Sequence, residues 1–148
     1  MEKKYNDNIK LNNINTLTLI TSESCNLQCK YCEIAKNINP ETHNLITKKI
    51  KESFINGQYL ENINNIFEKY EIDGQNIKAV NFWGQEPTIT LDAVEIFFPK
   101  LYELIPNCNN LFFSTNGVAY PDKIINFIKM LDKTIINKEK NKKFEFRI

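Results

Sequence analysis

The stretch TLTLITSESCNLQCKYC, residues 16–32, joins a strand-like segment to a cluster of cysteines. Its first part, TLTLI, is rich in β-branched and leucine residues and predicts a short strand. Its second part places Cys25, Cys29 and Cys32 within eight residues, in a chain that contains 4 cysteines in all. The sequence therefore predicts a first strand that ends in a cysteine-rich loop.

The composition limits what this loop can belong to. The chain has 148 residues, of which 42% are hydrophobic and 11% aromatic, so it can form the core of one domain. Its 19 Lys and Arg residues nearly balance its 18 Asp and Glu residues. Such a balance disfavours binding to nucleic acid or to an anionic membrane surface.

The first 15 residues are charged and rich in asparagine, whereas a secretory signal needs an apolar stretch. No apolar run approaches the roughly 20 residues of a membrane span. We therefore expect a cytoplasmic protein. In that reducing compartment, closely spaced cysteines are more often metal ligands or redox groups than disulfides.

Strands and helices are predicted to alternate along the rest of the chain. Further strands are expected in KAVNFWG (78–84), NLFFSTNG (110–117) and KFEFRI (143–148). Apolar residues recur at helical spacing over 46–70, with a break at Asn56 and Gly57, and again over 91–105 and 121–136. This alternation favours parallel strands joined by right-handed crossovers, in an α/β domain over residues 16–148.

Three segments with candidate chemistry each follow a predicted strand: the cysteine segment, WGQEP (83–87) and STNG (114–117). Ligands of parallel α/β sheets and barrels bind beyond the carboxyl ends of the strands. We therefore expect these segments to meet at one rim of the sheet.

Several chemistries are compatible with the spacing of the three cysteines. Soft thiolates select zinc, copper or iron-sulfur clusters. A structural zinc ion takes four protein ligands, so Cys108 or His43 would have to supply the fourth. A 4Fe-4S cluster held by three cysteines leaves one iron with an open coordination site. Three buried structural cysteines without a metal are a further alternative.

The same segments resemble a known family. CNLQCKYC (25–32) resembles the cysteine signature of the radical S-adenosylmethionine (radical SAM) superfamily, in which an aromatic residue precedes the last cysteine. FWGQEP (82–87) is similar to the GGEP segment of that family, and STNG resembles the end of the third strand in its peptide-modifying members. The resemblance covers residues 16–148. It implies a partial (β/α) barrel, of which this chain supplies about four of six parallel strands.

The resemblance implies a role for each matched residue. Cys25, Cys29 and Cys32 would bind three irons of a 4Fe-4S cluster, and the fourth iron would bind S-adenosylmethionine. The residues that would contact this second cofactor are Tyr31, Gly84, Gln85, Glu86, Ser114 and Asn116. Of these, Gly84, Gln85 and Glu86 would receive the methionine ammonium, whereas Ser114 and Asn116 would lie near the ribose and the methionine carboxylate.

The resemblance also implies an oxidoreductase that cleaves S-adenosylmethionine reductively and uses the resulting 5′-deoxyadenosyl radical to abstract hydrogen, with a peptide as the expected substrate. An electron donor such as flavodoxin or ferredoxin would be its partner. The alternative function is a non-catalytic or split metal-binding module, holding a cluster or zinc, that needs another polypeptide.

The sequence departs from the family pattern in two places. Gln85 stands where the family usually has a second glycine. The last predicted strand, KFEFRI, is expected to expose Phe144, Phe146 and Ile148 at an open edge of a truncated core. We therefore expect pairing with a missing C-terminal part or with a second copy of the chain.

Three other residues are given ordinary roles by their sequence context. His43 is expected in a solvated polar loop, and Cys108 is expected to be a free thiol before the third strand. Trp83 is expected to pack in the core beneath the site, with the wall of a cofactor cavity as the alternative.

Overall fold

The computed structural model describes residues 13–27, 29, 30, 32, 39–117, 120–137, 139 and 143–147. Its strands are β1 (Thr16–Ser22), β2 (Ala79–Gly84), β3 (Asn110–Phe113) and β4 (Glu145–Arg147). Its α-helices are α1 (Pro40–Asn56), α2 (Gln58–Lys69), α3 (Leu91–Leu104) and α4 (Pro121–Leu131). Short 3₁₀ helices occupy Gly74–Asn76 and Pro87–Thr90, and a π-helical turn, Asp132–Ile136, follows α4.

The strands form one parallel sheet in the order β1-β2-β3-β4. Leu19 lies opposite Phe82, which lies opposite Phe113. The predicted α/β alternation and parallel pairing are confirmed. Because each strand adds on the same side of the one before it, right-handed crossovers place the connecting helices on one face of the sheet. The architecture is that of a partial β/α fold.

Aromatic packing fills the space between the sheet and its helices. The ring of Phe82 on β2 stacks on that of Phe113 at 4.6 Å, and both rings meet Phe127 of α4 edge-on. Phe98 of α3 joins the same group, 5.6 Å from Phe127 between ring centroids. Phe82, Phe98 and Phe127 are completely buried, so this face of the sheet carries the core.

The long helical region after the cysteines is divided where the sequence indicates. Gly57 ends α1 in the left-handed conformation, with φ of 87°, and α2 begins at the next residue. The start of α1 lies earlier than predicted, at Pro40. There Asn39 caps the helix by accepting the backbone N–H of Glu41 at 2.9 Å. An N-cap followed by proline is a helix start, which the prediction of a polar loop overlooked.

The opposite face of the sheet is partly exposed. Ile20 of β1 lies opposite Trp83 of β2, and these residues are 44% and 49% exposed. The expectation that Trp83 packs in the core is therefore wrong. Trp83 follows the fully buried Phe82, and consecutive side chains of a strand point to opposite faces.

Phe144, expected to be exposed at the sheet edge, is partly buried against the core. Its ring lies 6.0 Å from that of Tyr102 and 6.3 Å from that of Phe98. The side chain of Phe146 and the whole of Ile148 lie outside the described residues, as does most of the polar segment 1–15. Among the helices that the structure describes, none has the length and apolar character needed to cross a membrane.

Candidate metal and cofactor site

The three segments singled out in the sequence meet beyond the carboxyl ends of β1, β2 and β3. The backbone N–H groups of Gln85 and Glu86 donate to the carbonyls of Ser22 and Ser24, each at 3.0 Å. The backbone N–H of Asn116 donates to Glu86 Oε2 at 2.9 Å. The structure thus joins the loop after β2 to the loops after both neighbouring strands, as the parallel topology predicts.

Glu86 is the centre of this junction. Its carboxylate is 0% exposed and caps the 3₁₀ helix Pro87–Thr90 by accepting the backbone N–H of Thr88 at 3.1 Å. It also accepts the hydroxyl of Thr88 at 2.5 Å, the hydroxyl of Thr115 at 2.8 Å and the N–H of Asn116. A buried carboxylate needs such donors to offset its lost hydration. Glu86 therefore links β2 to β3 whether or not a ligand is present.

Gly84 allows β1 and β2 to approach closely at the rim. Its φ is +146°, a conformation that residues with a side chain rarely adopt. A Cβ atom at this position would lie 2.1 Å from the backbone oxygen of Ser22. The glycine is therefore required by the packing of backbone against backbone, independently of any ligand.

Gln85 has a negative φ, and its side chain contacts helix α1. Its Nε2 donates to the backbone oxygen of Glu23 and lies 3.0 Å from His43 Nδ1. His43 Nδ1 also lies 4.0 Å from Glu23 Oε2. The Gln85 side chain therefore has a specific partner on α1.

The expectation for His43 was wrong. His43 belongs to α1 and is only 6% exposed, because the helix begins before it and turns its ring towards Gln85. Its burial could have been anticipated from the Asn39–Pro40 helix start, which puts His43 and Thr47 on one face at an i, i+4 spacing.

Polar residues of α1 also hold the segment that leads into the cysteines, and the sequence analysis missed them. Thr47 Oγ1 accepts the backbone N–H of Glu23 at 3.0 Å and lies 2.9 Å from Ser24 Oγ. Ser24 Oγ in turn donates to Asn44 Oδ1 at 2.8 Å. Side chains on α1 thus fix the backbone immediately before Cys25.

Burial of polar side chains is concentrated at this rim. The buried polar and charged residues of the described chain are Thr21, Ser22, Ser24, His43, Thr47, Glu86, Thr88 and Thr90. They lie at the end of β1 and just after it, in or next to the 3₁₀ helix that follows β2, and on the first half of α1. Burying polar groups costs free energy unless each finds a partner, so their concentration distinguishes the rim from the rest of the fold.

Of the three neighbouring cysteines, Cys25 contacts the rim residues directly. Cys25, Cys29 and Cys32 are free thiols of intermediate exposure. Cys25 Sγ accepts the backbone N–H of Leu27 at 3.4 Å and the side-chain amide of Asn116 at 3.7 Å. Tyr31, predicted to contact the cofactor, lies outside the described residues.

The fourth cysteine is remote from the other three. Cys108 is fully buried just before β3, at the amino end of the sheet, whereas Cys25 lies beyond the carboxyl end of β1. In a parallel sheet these positions are at opposite ends of the strands, so Cys108 does not complete a zinc site with the other three cysteines.

The donor set fits a soft metal or an iron-sulfur cluster by its chemistry, because three partly exposed thiols on one short segment are ligands of that kind. Within the described residues, however, no three His, Cys, Asp or Glu side chains lie close enough to hold a metal ion.

A pocket of about 370 Å³ opens beside Cys25. It lies between the loop after β1, helix α1 and the start of α4. The residues that line it are Ser24, Cys25, Asn26, Asn44, Thr47, Lys48, Lys51, Ile89 and Tyr120. The cysteine segment is therefore reached from solvent on the helix side of the rim.

The third segment contributes differently from expectation. Ser114, predicted to bind the cofactor, is exposed, whereas Thr115 hydrogen-bonds to Glu86. Asn116 does lie at the rim, but its side chain contacts the cysteine segment, donating to Asn26 Oδ1 at 2.8 Å as well as to Cys25. Of the predicted cofactor-binding residues, Gly84, Gln85, Glu86 and Asn116 come together with Cys25.

Comparisons of the chain with protein-family models, with curated proteins and with solved structures found no match. The function of the rim is therefore argued from its geometry and its residue chemistry.

Proposed function

We propose that this chain is the N-terminal part of a radical SAM enzyme core. In this proposal Cys25, Cys29 and Cys32 bind a 4Fe-4S cluster, and S-adenosylmethionine binds beside it at the rim. The observation that carries the proposal is the hydrogen-bonded junction of the three motif-like segments. Asn116 connects Glu86, through its backbone, to Cys25, through its side chain.

The junction supports the proposal because it brings the three segments that carry the resemblance together, in hydrogen-bond contact, at the end of a parallel sheet where ligands bind. Glu86 also brings a negative charge to the rim, and a carboxylate oxygen can accept more than one donor. Its Oε2 accepts the N–H of Asn116, and in this proposal a ligand ammonium would bind the same carboxylate once the loops that bury it move apart.

Bound together, the cluster and S-adenosylmethionine would supply reductive cleavage of the sulfonium bond and a carbon radical that takes hydrogen from a substrate. The chain's own residues would orient them. Ser24, Asn44 and Thr47 fix the backbone before Cys25, and Gln85 fixes the loop after β2 against α1.

The exposed pair Ile20 and Trp83 supports the barrel component of the proposal. Parallel sheets are normally covered on both faces, and in a barrel the second face lines the interior. These side chains would then form part of the wall facing the substrate, for which a peptide is proposed. Flavodoxin or ferredoxin is the proposed electron donor, and the cytoplasm the proposed compartment.

Anaerobic reconstitution tests the proposal. The purified chain is incubated with ferrous iron and sulfide, and its iron, acid-labile sulfide and thiolate-to-iron absorbance are measured. We expect about four iron atoms per chain. Replacement of Cys25, Cys29 or Cys32 by alanine should abolish loading. Cys108→Ala is the matched control and should load normally, because Cys108 lies at the opposite edge of the sheet.

A second measurement separates the two candidate functions. S-adenosylmethionine should change the electron paramagnetic resonance spectrum of the reduced cluster and should yield 5′-deoxyadenosine in the presence of a strong reductant. A chain that loads a cluster but gives neither response is the non-catalytic or split module. Tight zinc without iron would contradict both the cluster and the radical chemistry.

A further inference from the structure

We infer that Asn116 is a positioning residue that holds Cys25 at the rim and raises the reduction potential of the cluster. The inference rests on the proposed function and assigns Asn116 a different partner from the ribose or carboxylate contact that the family resemblance implies. It is carried by three hydrogen bonds that Asn116 makes at once.

The first bond fixes the residue itself. The backbone N–H of Asn116 donates to Glu86 Oε2 at 2.9 Å, and Glu86 is fully buried and held by three further donor contacts from Thr88 and Thr115. Because this anchor uses the backbone, it is available to any residue at position 116 except proline. Changes to the side chain therefore leave the anchor in place.

The other two bonds extend from the anchored residue to the cysteine segment. Asn116 Nδ2 donates to Asn26 Oδ1 at 2.8 Å and to Cys25 Sγ at 3.7 Å. The sulfur also accepts the backbone N–H of Leu27 at 3.4 Å. Two N–H groups, one of them from the loop after β3, thus direct partial positive charge at the sulfur of the first cysteine.

This arrangement has an electrostatic consequence for a cluster bound through Cys25. Reduction adds negative charge, and N–H groups that point at a ligating sulfur stabilise the reduced state more than the oxidised state. Hydrogen bonds to sulfur are among the recognised determinants of cluster potential. Loss of the Asn116 amide should therefore lower the potential and make the cluster harder to reduce.

The experiment uses the full chain with Asn116→Ala, Asn116→Asp and the control Asn26→Ala. Asn116→Asp keeps the size of the side chain but replaces the donor by a carboxylate. Asn26→Ala removes the other acceptor of Asn116 and leaves the amide free to donate to sulfur. The midpoint potential of the reconstituted cluster is measured by a redox titration followed by electron paramagnetic resonance.

We expect Asn116→Ala to lower the potential, Asn116→Asp to lower it further, and Asn26→Ala to leave it close to that of the wild type. An unchanged potential in Asn116→Ala would overturn the electrostatic part of the inference. An equal decrease in Asn26→Ala would also overturn it, because placement of the loop rather than the bond to sulfur would then set the potential.

Hydrogen exchange on the cluster-free chain provides a readout that needs no cluster. Asn116→Ala should make backbone exchange in residues 23–27 about threefold to tenfold faster, the effect of losing a modest hydrogen bond, while α2 exchanges as in the wild type. Unchanged exchange would overturn the positioning role. If the wild-type chain loads no cluster, the proposed function and the potential effect fail, and exchange alone decides whether Asn116 holds the loop.

Discussion

The two ends of the parallel sheet differ sharply in how they treat polar groups. At the amino end, Asn107 Nδ2 donates to Gln75 O at 2.9 Å and Asp73 caps the 3₁₀ helix Gly74–Asn76, with all three residues exposed. At the carboxyl end, Glu86 caps the 3₁₀ helix Pro87–Thr90 while completely buried. The same local motif is therefore a solvated turn at one end and part of a buried junction at the other.

The difference shows where the fold loses free energy by burying polar groups. An exposed capping side chain can hydrogen-bond to water instead of the backbone, with little change in free energy. A buried carboxylate has no water and needs several donors from the protein. The carboxyl end supplies those donors from Thr88 in the 3₁₀ helix and from Thr115 and Asn116 in the loop after β3. Concentration of buried polar groups at one end is typical of a site, and two substitutions, each with a control elsewhere in the fold, test how firmly that end is held.

The largest effect is expected from Gly84→Ala. A Cβ atom at Gly84 would lie 2.1 Å from Ser22 O, at a φ of +146°, so backbone has to move against backbone. We expect the free energy of unfolding to fall by about 3 kcal/mol, the sum of overpacking and backbone strain. Urea denaturation followed by circular dichroism measures the change.

The matched control is Gly57→Ala, at the helix end away from the rim. Gly57 also has positive φ, +87°, but a Cβ atom there would meet nothing within 4 Å. Its cost should be only the left-handed backbone penalty, about 1 to 2 kcal/mol. Equal losses for the two variants would show that the rim is not more tightly packed at Gly84.

A smaller effect is expected from Glu86→Gln. Glutamine keeps the shape but turns one acceptor oxygen into an N–H donor, so a donor from Thr88, Thr115 or Asn116 loses its acceptor. The expected loss of unfolding free energy is about 1 to 3 kcal/mol. Thermal and urea unfolding both report it.

Asp73→Asn is the corresponding change at the exposed cap. Because asparagine is as good a cap as aspartate, we expect little change in unfolding free energy. The contrast between the two ends would fail if Asp73→Asn cost as much as Glu86→Gln.

The smallest effect concerns Asp92, which forms ion pairs with Lys51 and Lys123 in the helix layer outside the rim. Burial raises the pKa of its carboxyl, but hydrogen bonds and charges from Lys51 and Lys123 outweigh that effect and lower the pKa overall. A lowered pKa stabilises the fold above the unfolded-state value of about 3.9, and the stabilisation is lost as the pH falls through the folded-state value. The Asp92 side chain is 44% exposed, so the contribution is small.

Urea unfolding of the wild type and of Asp92→Asn, from about pH 6 to about pH 2.5, measures this contribution. The difference in unfolding free energy between the two proteins should be largest near neutral pH and should shrink in acid. A difference that is constant over this range would mean that the lysines do not stabilise the carboxylate.

The order of elements was predictable because it depends on local patterns. Short apolar runs predicted the strands around Leu19, Phe82 and Leu111, and Gly57 marked the break between α1 and α2. The parallel pairing followed from the strand-helix alternation, and the meeting of three segments at one rim followed from the parallel pairing. Each of these inferences uses neighbouring residues or the fixed handedness of crossovers.

The contacts of the candidate site were not predictable in the same way. The start of α1 was placed too late, and the error put His43 in solvent. The choice of Thr115 over Ser114 as the partner of Glu86 depends on the direction in which the chain leaves β3, which strand alternation does not fix beyond Phe113.

The sequence by itself determined the parallel α/β order and the presence of three neighbouring cysteines after the first strand. Only the tertiary structure decided that Gln85 contacts His43, that Glu86 accepts donors from the loop after β3, and that Asn116 reaches Cys25. The physical reason is distance along the chain: these partners are 30 to 91 residues apart, and their pairing depends on how the strands and helices pack.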